Sequence, residues 1–277
     1  MGHQPCQCQE VDEPDAQPAL VYALGRVDVR VPSLAIENEL AQVVADASYD
    51  GLTERSALQR ALSIEQNRYL ARSMGSVLTI EGLDMYVLAP RESRELDLLV
   101  EAVREQPSDQ DLDVVIGIRT TLAPTQMCGG LTLPIVLVDQ LYSFDRGGLV
   151  DALPQPKAAS RKATERFRST ASGLLDDLAQ LAANGGTADE HRALNYLVVR
   201  YPRLYEAAAE KLDRDVAFSG VEMHRSPLSG ARSIVEVVLC FAHQETGVVE
   251  RELARVDVTE RYPFLVTELA PYRRAGL

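Results

Sequence analysis

The sequence has few cysteines, few histidines, no long apolar run and no cluster of basic residues. Its four cysteines in 277 residues are too sparse for the disulfide framework of a small secreted protein. The longest apolar stretches, residues 131–137 and 234–242, fall far short of the roughly 20 residues that a membrane-spanning helix needs. The 28 Lys and Arg residues are outnumbered by 41 Asp and Glu residues, and the resulting net charge of −13 repels nucleic acid. We therefore expect no nucleic-acid partner and no membrane span.

The N-terminal segment, residues 1–18, is polar and acidic and contains Pro5, Pro14 and Pro18. Terminal segments of this composition are commonly poorly ordered, so we expect a flexible tail with ordered structure from Ala19 onward. The segment lacks the basic start and apolar stretch of a secretory signal. Together with the sparse cysteines, this composition predicts a cytoplasmic protein with reduced thiols.

Hydrophobic residues make up 46% of the chain, which is enough for a sizeable core. Helix and strand patterns are mixed rather than strictly alternating. This favours an α+β fold of two lobes, which mix short antiparallel strands with helices, over a doubly wound sheet. Residues 145–157, with two glycines and two prolines, are the best candidate boundary. They divide the chain into an N-terminal α+β lobe, residues 19–148, and a C-terminal lobe of helices and antiparallel strands, residues 149–277, with one continuous domain as the alternative.

In the N-terminal half, local signals predict one helix over residues 53–74, with Thr53 as its N-cap. A later apolar run, residues 131–144, predicts a strand. We expect this strand to break at Pro134, because proline has no N–H group for a strand ladder.

In the C-terminal half, residues 158–184 predict one long helix that ends before two glycines. The spacing of Thr187 and Glu190 is that of a capping box and predicts the start of the next helix. Strands are then predicted at residues 216–223, 233–243 and 248–258.

Most enzyme signatures are missing: the sequence has no Gly-rich phosphate loop, no zinc-protease helix and no nucleophile elbow. Three residues remain as candidate catalytic groups. Cys128, in a loop beside two glycines, is a candidate nucleophile. His191, near a predicted helix N-terminus that disfavours the charged imidazole, is a candidate base. Asp139 follows a buried strand, a common position for sites. The alternative for each is structural: a turn, a helix terminus and an isolated carboxylate.

The cysteines also allow a metal site. Cys6 and Cys8 form a close pair, and folding can bring Cys128 and Cys240 to them as the remaining ligands of a structural zinc ion. The alternative is a pair of exposed tail cysteines and two buried core cysteines. Apart from this zinc ion, we expect no cofactor.

Tyrosines and arginines of the C-terminal half allow a third kind of site, an amphipathic peptide-binding surface. The alternative places the same side chains at the rim of the core. The residues are Tyr201, Tyr205, Tyr262, Tyr272, Arg200, Arg203, Arg261, Arg273 and Arg274.

Several long stretches resemble a known family. They are VYALGR (21–26), RYLARSMGSVLTIEGLDMYVLAP (68–90), DLDVVIGI (111–118), APTQMCGGLTLPIVLVDQLYSFD (123–145), DEHRALNYLVVRYPRLY (189–205) and RYPFLVTELAPY (261–272). Together they are similar to the C-terminal domain, of unknown function, of PatA/PatG-type cyanobactin maturation proteases. The resemblance covers residues 19–274, and even the Cys-x-Cys-Gln before the first strand is similar to the linker that precedes that domain.

This resemblance implies a role in ribosomal peptide natural-product biosynthesis, in which such proteases cut and macrocyclise precursor peptides. The family's catalytic residues belong to a separate subtilisin-like domain whose motifs are missing here, so no catalytic residue is carried over. The resemblance therefore implies a non-catalytic accessory domain that binds a precursor peptide or a partner enzyme. A sheet edge can accept such a peptide by strand addition, and the acidic charge favours basic segments. The alternatives are a peptide-modifying enzyme that uses Cys128, His191 and Asp139, and a dimerisation module.

Overall fold

The computed structural model describes residues 19–46, 53–124, 132–154 and 160–272. Five strands of the N-terminal half close into a barrel with the order β1-β2-β3-β5-β4, in which β4 returns to β1. All neighbouring pairs are antiparallel except β3 and β5. The strands are β1 (Ala19–Arg30), β2 (Gly75–Ile80), β3 (Leu83–Pro90), β4 (Asp111–Leu122) and β5 (Pro134–Asp145).

Helices interrupt the barrel at two places. Between β1 and β2 lie α1 (Leu34–Asp46), α2 (Glu54–Ser63), a 3-10 turn (Glu65–Asn67) and α3 (Arg68–Ser73). Between β3 and β4 lies α4 (Ser93–Glu101). A barrel of this strand order, with a helix between β3 and β4, has the connectivity of the OB-fold.

The C-terminal half combines helices with a second, open sheet. Four antiparallel strands lie in the order β6-β7-β8-β9. The helices are α5 (Arg146–Asp151), α6 (Arg161–Leu181), α7 (Asp189–Arg200) and α8 (Arg203–Leu212), and the strands are β6 (Val216–Arg225), β7 (Ile234–His243), β8 (Val249–Asp257) and β9 (Phe264–Pro271).

One apolar core joins the two halves. It contains Tyr22 and Ile116 of the barrel, Leu194 of α7, and Val237 and Phe241 of β7. A second cluster fills the inside of the barrel. The α+β class is therefore confirmed, whereas the division at residue 148 stays a prediction, since the main core extends across that position.

Helix α7 holds the two sheets together through polar side chains. Asn195 donates to the carbonyl oxygen of Tyr22 in β1 (2.8 Å), and the Tyr22 N–H donates to the carbonyl of Gly186 just before α7 (2.9 Å). Arg192, which is 2% exposed, donates to the carbonyl oxygens of Val258 (2.6 Å) and Glu260 in the β8–β9 connection. Because these bonds satisfy backbone groups outside the strand ladders, they fix the position of α7 between the sheets.

Some local predictions were wrong. The helix predicted over residues 53–74 is broken: Thr53 does cap α2, but that helix ends at Ser63 and the chain resumes as α3. The predicted capping box before α7 does not form, because the N-cap is Ala188, without a side-chain hydrogen bond. Pro134 starts β5 instead of breaking it, as expected for a residue that cannot donate to a ladder. No described helix combines the length and the hydropathy needed to cross a membrane.

Candidate functional site

The outer face of β2 and β3 is where OB-fold proteins carry their ligands. In this chain, Val77 of β2 and Val87 of β3 are almost fully buried there. They pack with Ala123 and Leu133, which lie on either side of the β4–β5 connection. The chain therefore covers this face itself, and the open sheet is the better place to search for a site.

The open sheet packs one face on α7 and α8. We call the opposite side its outer face. At its centre, Val238, Cys240 and Leu253 form a small buried cluster, against which Tyr272 packs. No described helix or strand packs on this outer face, so long polar side chains shield the cluster from solvent.

Glu236 of β7 organises the polar part of the outer face. Its carboxylate, 4% exposed, accepts hydrogen bonds from Arg255 (2.8 Å) and Ser226 (3.0 Å), and it lies 3.1 Å from Nε2 of His224. Burial opposes ionisation, but the hydrogen bonds from Arg255 and Ser226 outweigh it, so the pKa of Glu236 lies below its usual value. The carboxylate is thus a satisfied structural group rather than a poised base.

The two edges of the open sheet differ in character. At the β6 edge the exposed residues are polar, namely Ser219, Glu222, His224 and Arg225, and the strand bulges between Phe218 and Gly220. Charged side chains and bulges are the devices that protect a sheet edge from pairing with another chain. The β6 edge is therefore protected against pairing with another chain.

The β9 edge exposes apolar side chains together with one charged residue, Glu268. Phe264 is 50% exposed and Val266 is 38% exposed, and Tyr262 just before the strand is also exposed. Pro263 precedes the strand and Pro271 ends it. Within the described residues β9 pairs only with β8, with two register shifts, and one of its N–H groups, that of Leu269, donates to the Tyr201 hydroxyl (2.9 Å). The exposed apolar residues make this edge a candidate interaction surface.

Sequence reasoning missed β9 as a strand and named only part of this surface. In the structure the strand alternates exposed and half-buried residues, but in the sequence Pro263 and Pro271 weaken the strand signal. Of the predicted tyrosine and arginine surface, Tyr262 is exposed, Tyr201 and Tyr272 are half-buried, and Tyr205 is a core residue, 1% exposed. Arg273 and Arg274 lie outside the described residues.

Asp139 holds the β8–β9 connection to the barrel. It occupies a bulge of β5, because Ile116 pairs with Gln140 and Gly117 with Val138. One carboxylate oxygen lies 2.9 Å from Arg261 and 3.4 Å from Arg91, and the other has no hydrogen-bond partner in the described part of the chain. Asp139 thus has a structural explanation, because its ion pairs hold the β8–β9 connection against the barrel.

Of the other two catalytic candidates, the structure describes only His191. His191 lies half-buried in the first turn of α7, and within the described part of the chain no hydrogen bond or ion pair joins it to Asp139. Cys128 lies outside the described residues. The catalytic role of the three residues stays a prediction.

The predicted zinc site is likewise untested. Cys6, Cys8 and Cys128 lie outside the described residues, and within the described ranges no three His, Cys, Asp or Glu residues are placed to hold a metal ion. Cys240 is buried and 3.7 Å from a carboxylate oxygen of Glu222. Burial and the Glu222 charge raise the pKa of the Cys240 thiol, which therefore resembles a core cysteine.

A cleft of about 700 Å³ lies between the start of α6 and α8. Its apolar wall includes Phe167 and Ala209, and charged residues surround it. Arg166 pairs with Asp213 (3.2 Å) and Arg203 with Glu210 (2.8 Å), so these charges are already neutralised. Pro154 and Ser160 also line the cleft, and we assign it no function.

Comparisons with known proteins identify the fold. Residues 161–272 match a family model described as PatG C-terminal. Among solved structures, the chain is similar to a "PatG Domain of Unknown Function", with a TM-score of 0.72 and 21% sequence identity, over 92% of this chain and 98% of that chain. No curated protein matches the chain. These matches confirm the resemblance predicted from the sequence: residues 161–272 carry the sequence pattern of the PatG C-terminal family, and the chain has the fold of the PatG domain of unknown function.

Proposed function

We propose that the chain is a non-catalytic accessory domain of ribosomal, cyanobactin-like peptide biosynthesis in the cytoplasm, and that its β9 edge binds an extended segment of a precursor peptide or a partner enzyme. The observation that carries the proposal is the contrast between the two edges of the open sheet. The exposed residues of β6 are polar, whereas β9 exposes Phe264 and Val266 beside Glu268. The family match supports the pathway, and the exposed apolar residues of β9 support the mode of binding.

Strand addition suits an edge of this kind. Backbone hydrogen bonds provide affinity without regard to sequence, and side chains on alternate positions provide selectivity. At β9 the selective contacts fall on Phe264, beside the guanidinium of Arg232 (5.7 Å from the ring centroid), and on Val266. The net charge of −13 favours a basic segment in the ligand, so association is expected to slow as salt is added.

Calorimetric titration of the full chain with the cognate precursor peptide and companion enzymes tests the proposal. Val266→Lys places a charge on the β9 edge and is expected to weaken binding at least roughly tenfold, because a buried unpaired charge opposes the new contact. Val249→Lys is the matched control, because Val249 is equally exposed (40%) but lies at the far end of β8.

Equal losses in the two variants, or no binding to any of these molecules by the wild-type chain, would contradict the proposal. The same incubations, followed by mass spectrometry of the peptide, test the alternative of a peptide-modifying enzyme. We expect the peptide mass to be unchanged. Light scattering at the same concentrations tests the dimerisation alternative.

A further inference from the structure

The Tyr22 hydroxyl is a buried donor without an acceptor. Tyr22 lies in β1, its side chain is 2% exposed, and no acceptor for its hydroxyl proton is found among the described residues. The guanidinium of Arg200, at the end of α7, acts on this hydroxyl by its charge and as a hydrogen-bond donor. A guanidinium has only donors, so Arg200 cannot accept the hydroxyl proton. Because buried polar groups are nearly always hydrogen-bonded, the arrangement indicates a missing acceptor.

Among the described residues, Arg200 has no anionic partner. Its guanidinium lies over the ring of Tyr142, 4.7 Å from the centroid, and its side chain is exposed. Acidic residues outnumber basic ones in this protein, yet within the described residues Arg200 forms no ion pair. Stacking uses the face of the guanidinium and leaves its edge to donate hydrogen bonds, of which the Tyr22 hydroxyl takes one.

Tyr196 completes the group, one turn before Arg200 on α7. Its ring makes an edge-to-face contact with Tyr22, with 6.4 Å between the centroids. Burial raises the pKa of Tyr22 well above its usual value, against the opposing charge of Arg200, and the phenols of Tyr142 and Tyr196 add to the rise. The Tyr22 hydroxyl therefore remains a proton donor at neutral pH.

We propose that Tyr22, Tyr142, Tyr196 and Arg200, which we call the tyrosine–arginine cluster, bind a carboxylate group. One guanidinium supplies a single positive charge and two parallel N–H donors, which match the two oxygens of one carboxylate. The phenols add neutral donors, and the missing acceptor of Tyr22 is supplied by a carboxylate oxygen. A phosphate dianion fits less well, because the cluster holds one cation in a chain of net charge −13. The inference needs neither Phe264 nor Val266 and stands whether or not β9 binds a peptide.

Three small peptides identify the source of the carboxylate. They are N-acetyl-trialanine with a free C-terminus, the same peptide as its C-terminal amide, and N-acetyl-Ala-Glu-Ala amide; inorganic phosphate is the fourth ligand. Binding is followed by the NMR signal of the Arg200 Nε–H group, assigned with Arg200→Lys. Saturation by the first peptide alone indicates a terminal carboxylate, and saturation by the third alone an acidic side chain. Either result, or both together, supports the proposal, provided that the plain amide does not bind.

The variants separate binding from structure. Arg200→Gln is expected to raise the dissociation constant at least roughly tenfold, and Tyr22→Phe several-fold, because each removes a donor to the carboxylate. Arg225→Gln is the matched control, since Arg225 is also exposed and without an ion pair in the described chain. Tyr22→Phe should leave the melting temperature nearly unchanged, because the hydroxyl proton has no acceptor among the described residues.

Three results would overturn the proposal. The first is no saturable shift up to about 10 mM peptide, well above the roughly 1 mM dissociation constant of a weak contact. The second is tighter binding of phosphate than of either carboxylate. The third is a loss of melting temperature in Tyr22→Phe, which would show that the hydroxyl already has its acceptor.

Discussion

The two sheets of this molecule differ in how they deal with the unpaired backbone groups of edge strands. The barrel closes β1 on β4 and has no free edge, and its ligand face is covered by the chain itself. The four-stranded sheet stays open and ends in β6 on one side and β9 on the other. Closure removes the unpaired backbone groups that attract another chain, so the capacity to bind by strand addition is confined to the open sheet. In the function that we propose, the barrel is the scaffold and the open sheet is the interaction surface.

The contact between barrel and α7 is the most sensitive point of this arrangement. Gly186 has a φ of +64°, and a Cβ atom there would lie 2.3 Å from the Tyr22 carbonyl oxygen. Gly186→Ala is expected to lower the free energy of unfolding by about 4 kcal/mol, because both the backbone and the β1 contact must shift. Urea denaturation measures the change.

Gly247→Ala is the control. Gly247 has a similar φ of +69° in the turn between β7 and β8, but an added Cβ would meet no atom within 4 Å. This variant isolates the backbone strain and should cost about 1 kcal/mol. Similar losses in the two variants would contradict the role given to the α7–barrel contact.

The buried charge of the barrel gives the next largest effect. Asp113 is 0% exposed and accepts from both ends of the Arg104 guanidinium (2.9 and 3.0 Å) and from the Val27 N–H (2.6 Å). Asp113→Asn leaves Arg104 partly unpaired inside the protein and is expected to cost about 3 kcal/mol, measured by urea denaturation. Asp109→Asn, at an exposed ion pair with Arg26, should cost less than about 0.5 kcal/mol. A small loss at Asp113 would show that the barrel tolerates an open salt bridge.

Tyr205 provides an effect of intermediate size. Its hydroxyl donates to the carbonyl oxygen of Val198 (2.7 Å), which has no helical donor because the residue four positions later is Pro202. Tyr205→Phe leaves that buried carbonyl unsatisfied and should cost about 1–2 kcal/mol by thermal denaturation. Tyr201→Phe, at a half-buried hydroxyl that water can replace, should cost less. Equal costs would contradict this reading of the α7–α8 junction.

Sequence reasoning predicted the elements better than their association. The long helix α6 and strands β6 to β8 follow local periodicity, and they were found close to their predicted ranges. Barrel closure depends on pairing between β1 and β4, which no local pattern encodes. The break of the helix at Ser63 was missed because the residues there carry no proline or glycine.

For the candidate sites too, the sequence indicated single residues but not their partners in the fold. Asp139 was noticed because it follows an apolar run, but its partners Arg91 and Arg261 come from connections that are distant in the sequence, so its ion-pair role was not predictable. Tyr22 and Arg200 meet only in the folded chain. Their juxtaposition needs the contact between β1 and α7, which the sequence does not indicate.

The buried carboxylate of Glu236 is expected to make the stability of the outer face sensitive to acid. The pKa of Glu236 is lowered in the folded state, so its contribution to stability is complete above its unfolded pKa of about 4.3 and is lost as the pH falls through the lower folded value. Glu236→Gln should therefore lose stability at pH 7 but show a shallower decline of melting temperature below about pH 4.3. A decline as steep as that of the wild type would assign the acid sensitivity to other carboxylates, such as Asp257.

The smallest effect on stability is expected at the β9 edge, where binding should respond most. Val266 is exposed and makes no core contact, so Val266→Lys should change the free energy of unfolding by less than about 0.5 kcal/mol. The same change supplies the β9 edge with the kind of charge that β6 already carries, and it should lower any self-association seen by light scattering at high concentration. The converse variant, Arg225→Val, removes a charge from β6 and should raise self-association. If Val266→Lys destabilises the fold as much as Tyr205→Phe does, β9 is a structural strand, and the contrast between the two edges loses its functional meaning.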